Sequence, residues 1–123
     1  MREIKFRAFQ DGQMLISPLS SNYGLYRFFR MLYEDAPVMQ FTGMKGDNQQ
    51  EIYEGDICQW DTRDGSVFGT IIWEQQACAF WFKYHDGNKH RYRELRVNFS
   101  DGELWINTNI KVIGNIHQNP ELL

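Results

Sequence analysis

Four Asp-Gly dipeptides punctuate this 123-residue chain, at Asp11-Gly12, Asp64-Gly65, Asp86-Gly87 and Asp101-Gly102. Glycine accepts positive φ and aspartate can bond its own backbone, so each pair marks a tight turn. From Gly55 onward, the segments near these turns are β-branched and aromatic. They run from Ile57 to Trp60, Val67 to Trp73, Ala77 to Tyr84, Tyr92 to Phe99, Leu104 to Ile106 and Ile110 to Ile116. Strands at a spacing of about eight to twelve residues, joined by such turns, predict an antiparallel barrel or sandwich. Gly69, inside the second run, is expected to mark a bend or bulge. Aromatic residues make up 15% of the chain and sit mostly in these runs, where rings pack well on a pleated surface.

The first part of the chain reads differently. Arg2 to Phe9 alternates, with Ile4, Phe6 and Ala8 on one face and Glu3, Lys5 and Arg7 on the other. That pattern predicts a half-buried strand with its charges outward. Asp11-Gly12 returns the chain into Met14-Leu15-Ile16. Ser20, Ser21 and Asn22 can cap a helix. Leu25, Phe28, Phe29 and Leu32 then fall at i, i+3, i+4 and i+7, predicting a helix from Tyr23 to Tyr33 that stops before Ala36-Pro37. Val38 to Met44 predicts another strand, and Glu51-Ile52-Tyr53 its hairpin partner across the polar turn Lys45 to Gln50. Gly55-Asp56 bends the chain into the strand-rich region.

Phe41-Thr42-Gly43-Met44-Lys45 followed by Glu51-Ile52-Tyr53-Glu54-Gly55-Asp56-Ile57 resembles the signature of the YopX family. The opening from Met1 to Phe9 and the close from Val112 to Leu123 resemble that family's ends. One departure stands in the hairpin turn, where the family usually has Asn-Gly and this chain has Asn48-Gln49. Glutamine would be strained at positive φ, so a longer turn or another turn type is expected. The resemblance implies a phage or prophage origin. It also implies an SH3-like β-barrel preceded by a smaller N-terminal part, and it implies no established activity or functional residues. The expected fold is therefore mainly β (α+β), with a β/α part over 1–44 and an SH3-like barrel over 45–123.

The formal net charge is -3, which argues against non-specific nucleic-acid binding by the whole surface. Arg2-Glu3-Ile4-Lys5 leads into no apolar core segment, so no export signal is expected. A cytoplasmic setting follows, with Cys58 and Cys78 as reduced thiols in strand-like runs. No apolar run reaches membrane-spanning length. Cys58, Cys78, His85 and His90 lack the close ligand pairing of a zinc knuckle, so no metal or cofactor is expected. Asp56, Asp61, Asp64, Asp86 and Asp101 sit mostly at turns, where aspartate has a structural role. With no nucleophile elbow or phosphate loop, no enzyme is expected.

Lys83, Lys89, His90, Arg91, Arg93 and Arg96 interleave with Tyr84 and Tyr92. Lys83, Lys89, Arg91, Arg93 and Arg96 could hold a nucleic-acid backbone while the rings stack on bases. A solvated hairpin whose arginines pair with Asp86 and Glu94 is the simpler reading and is preferred. Phe28, Phe29 and Leu32 on the helix, with Leu122 and Leu123 at the close, are candidates for self-association, though a fold-back of the two terminal leucines onto their own barrel is equally simple. The expected function is a non-enzymatic binding or assembly module: a homo-oligomer meeting a host or phage protein. The alternative is a nucleic-acid-binding accessory protein.

Overall fold

The computed structural model describes residues 4–17, 22–47, 49–86, 89–95 and 109–123. Ser20, Ser21, Asn48, Arg96, Asp101, the second half of the run expected from Tyr92 to Phe99 and the run expected from Leu104 to Ile106 lie outside them. The chain is mainly β, with two antiparallel sheets and a short helix. Its strands are β1 (Phe6–Gln10), β2 (Gln13–Ile16), β3 (Val38–Lys45), β4 (Glu51–Tyr53), β5 (Asp56–Thr62), β6 (Gly65–Glu74), β7 (Ala79–Asp86), β8 (Lys89–Glu94) and β9 (Ile110–Asn115). Helix α1 spans Asn22–Arg30, and a 3₁₀ turn spans Pro120–Leu122. None of the helices in the described residues is long and apolar enough to cross a membrane.

Two compact units divide the chain, Met1–Phe41 and Thr42–Leu123. In the first, Asp11 and Gly12 both take positive φ, 54° and 76°, which is what a two-residue hairpin needs. Gln10 pairs with Gln13 across it. The other side of β1 pairs with the first half of β3. The expected one-sided burial of this strand does not hold. Lys5 and Arg7 are buried at 6% and 8% exposure, and Ile4 is 61% exposed. Alternation shows which residues share a face but not which face is covered. Here the charged face is covered along with the other. The Lys5 ammonium lies 5.6 Å from the centre of the Phe41 ring, and Arg7 stands in register between Ile16 and Met39.

The helix is shorter than the periodicity predicts, ending at Arg30 rather than Tyr33. Gln10 accounts for this. Its side-chain amide donates to the Met31 carbonyl at 3.2 Å, and its side-chain oxygen accepts from the Tyr33 N–H at 2.6 Å. The backbone groups a further turn would have used are already taken.

In the second unit, the second half of β3 neighbours β4, and five strands run in the order β8-β7-β6-β5-β9, curled into a half-barrel. Met44 and Ile52 from β3 and β4 pack with Cys58, Trp60, Ile71, Phe80, Phe82 and Ile110 in one core. Gly46 lies so close to β9 that a Cβ would meet the Ile110 carbonyl oxygen at 2.7 Å. Gly55 takes φ 85°. It donates to the Ile71 carbonyl, and its own carbonyl accepts from Ile116. The fully buried Asp56 accepts from the Tyr53 N–H at 2.7 Å. Gly69 makes no bulge. It keeps register with both neighbours, and a Cβ there would collide with the Lys83 carbonyl. The register shift falls instead between β5 and β9, at Ile57 and Cys58.

Candidate binding surfaces on the half-barrel and the helix

β7 and β8 form a hairpin because Asp86 pairs with Lys89, leaving two residues between the strands. β8 therefore starts at Lys89, three residues before the expected Tyr92. The register sets Trp81 against Glu94, Phe82 against Arg93, Lys83 against Tyr92, Tyr84 against Arg91 and His85 against His90. Cross-strand partners share a face, so the basic residues separate into two groups.

The inner group follows Phe80, Phe82 and Tyr84. Phe82 is fully buried, stacks on Tyr84 at 5.5 Å and meets Trp60 at 5.3 Å. Arg93 is exposed, and its guanidinium lies 5.3 Å from the centre of the Trp60 ring. It covers the rim of the core on one side and faces water on the other. Lys89 and Arg91 alternate onto this same face of β8, and both are exposed.

The outer group follows Trp81, Lys83 and His85, with Tyr92 and His90 opposite. Trp81 and Tyr92 meet edge to face at 6.1 Å. The Trp81 indole N–H is buried with no acceptor among the described residues. His85 and His90 stand with ring centres 4.1 Å apart. His90 is held below the ordinary imidazole range, first by desolvation and then by the charges of His85 and Lys83. On β6 the same face carries the exposed Phe68, with Thr70 opposite Lys83 and Ile72 opposite Trp81. Of the five candidate cations, Lys83 is on this face, Lys89, Arg91 and Arg93 are on the other, and Arg96 lies outside the described residues. The aromatic and histidine set on the outer face was missed by reading the segment as one run. Alternation along β7 and a two-residue loop are the signals that would have separated it.

The self-association candidates are also separated by burial. Phe28 is buried, whereas Phe29 is exposed and packs edge-on against Phe6 at 5.4 Å. Leu32 is half-buried. Leu122 and Leu123 are exposed on the 3₁₀ turn. That turn follows a tightly tied segment. The Asn115 side chain accepts from the His117 and Gln118 N–H groups and donates to the Gln118 side chain, while Asn119 reaches back to the Asn115 N–H.

Asp56 is buried in its turn. Asp61 accepts from Ser66 at 2.7 Å and from Gln59 at 3.2 Å, and these bonds hold its carboxyl below the usual carboxylate range. Cys58 is a core thiol, while Cys78 is exposed in the turn before β7 at φ 50°. Cys58 pairs with Gly69 in mid-β6, and Cys78 lies past that strand's far end. No cluster of three or more metal-ligating side chains occurs among the described residues.

The family model for "YopX protein" matches residues 18–123. A crystal structure of protein EF1440 from Enterococcus faecalis is similar, with 22% identity, 98% of this chain and 97% of that chain covered, and a TM-score of 0.41. No curated protein matches the chain.

Proposed function

From the chain's membership of the YopX family, a family name that specifies no reaction, we propose a non-enzymatic binding or assembly module of phage or prophage origin. It acts in the host cytoplasm through protein contacts and self-association. The half-barrel is read here as an SH3-like barrel, with the N-terminal β/α part serving as the contact element. One observation carries this reading. Of the thirteen large apolar side chains that stand exposed among the described residues, Ile4, Ile16, Tyr26, Phe29, Met31, Tyr33 and Val38 belong to Met1–Phe41, a third of the chain. Exposed apolar side chains in this number on so small a unit support an interaction surface. We take a second copy of the chain as the occupant, because an isologous interface sets the same surface against itself. Tyr26→Glu with Met31→Glu tests this, because both side chains are exposed and their loss leaves the core intact. A fall in particle mass by light scattering, with unchanged circular dichroism, is expected. An unchanged mass in the double variant would overturn the assignment to this surface.

The outer face of the hairpin favours a second reading. Trp81, Tyr92 and Phe68 are rings for stacking, and Lys83 is a cation beside them, the combination used on single strands. Lys83→Glu would then abolish retention of a fluorescent oligonucleotide. Arg91→Glu with Arg93→Glu, on the opposite face, would leave it intact. Retention unaffected by Lys83→Glu would exclude this face.

A further inference from the structure

The geometry points to a two-imidazole site for a borderline divalent transition metal, of the zinc, copper or nickel class, formed by His85 and His90. The two residues are five apart in sequence, and their spacing alone carries no metal signal. Register brings them together. Asp86 and Lys89 are paired with two residues between them, so they are the hydrogen-bonded pair that closes the hairpin. His85 and His90 are the next pair outward. Antiparallel pairs alternate, so this one is of the non-hydrogen-bonded kind, in which side chains approach most closely. The ring centres are 4.1 Å apart at an angle of 46°. Two imidazole nitrogens on one tetrahedral zinc, each about 2.0–2.1 Å from it, stand about 3.4 Å apart. In such a chelate the ring centres stand about 5 Å apart, so both side chains would turn outward to seat an ion.

A neutral imidazole presents the lone pair that a metal needs. Lys83 stands on the same face, two residues from His85, and repels any cation that arrives. Both imidazoles are exposed, so an ion can reach them. The remaining coordination positions are open to water or to an exchangeable ligand. The borderline softness of such ions suits imidazole.

The test uses the full-length chain with no affinity tag, titrated with zinc sulfate and, separately, with copper(II) at neutral pH. Calorimetry should show one zinc per chain, or one per two chains if two hairpins share an ion. Copper should bind more tightly than zinc. His85→Gln and His90→Gln should each weaken binding by at least about tenfold, or about 1.4 kcal/mol. His117→Gln, at a distant turn, should leave it unchanged. Lys83→Met should tighten it. Circular dichroism confirms that each variant folds. Copper should also broaden the ring resonances of His85 and His90 in NMR spectra before any others. Zinc and copper binding that survives both His85→Gln and His90→Gln, or no binding by the folded chain, would overturn the proposal.

Discussion

Gln49 is held in the left-handed region, at φ 61°. The Gln49 N–H donates to the Gly46 carbonyl at 3.0 Å, and the Gly46 N–H donates to the Gln50 carbonyl at 2.8 Å. The loop therefore spans three residues, 47–49, with its left-handed position last, where a hairpin of this length commonly places glycine. The expected departure from a two-residue Asn-Gly turn is met by lengthening it, and Gln49 bears the strain. Gln49→Gly relieves about 1–2 kcal/mol of strain and gives back part of it as unfolded-state entropy. A net gain of about 0.5–1 kcal/mol is expected, seen as a higher urea midpoint at unchanged slope. Asp56 makes the opposite case. Its carboxylate is buried and bonded to the Tyr53 N–H, so Asp56→Ala should cost about 2–3 kcal/mol in the same measurement. His90 adds a pH dependence. Its folded-state pKa lies below the ordinary imidazole value, so on acidification the unfolded chain takes up the proton first. Stability should fall as the pH drops through the ordinary imidazole range. His85→Asn should raise the His90 pKa in an NMR titration. No change would remove the imidazole pair as a cause of the shift.

At the scale of elements, Gly69 shows how a strand glycine can serve close approach rather than bending. β6 runs straight past β7, with the Lys83 carbonyl where a Cβ would stand. Gly69→Ala should force the two strands apart and cost about 1–3 kcal/mol, measured by thermal unfolding; a neutral effect would show that the strands can give way. The sequence reveals this glycine's presence but not its reason, because a bulge and a close approach leave the same mark on a string of residues. Of the strands expected after Gly55, those that became β5, β6, β7 and β9 were legible, because period-two and aromatic runs between turns admit few alternatives. Three features were not. The facing of β1 depended on what covers its charged side. The end of α1 depended on Gln10, remote in sequence, taking backbone groups that would have continued it. The start of β8 depended on a two-residue loop, which then decided how the basic segment divides between faces. In each case the deciding partner lies on another element. The outer-face histidines were legible as residues but not as a pair, for the same reason.

For the whole molecule, the YopX family supplies kinship, and the surface supplies the functional reading. Among the described residues the exposed apolar side chains concentrate in the smaller unit, while the larger unit carries the core built on Phe82, Trp60 and Ile71. In the proposed reading, the larger unit is the scaffold and the smaller one the contact. The most direct measurement is light scattering on the untagged chain after gel filtration, over a range of concentrations and at low and high salt, with absorbance read at 260 and 280 nm. A defined mass above that of one chain, unchanged by salt and free of excess 260 nm absorbance, is the result this account predicts. A particle of one chain at every concentration would contradict it.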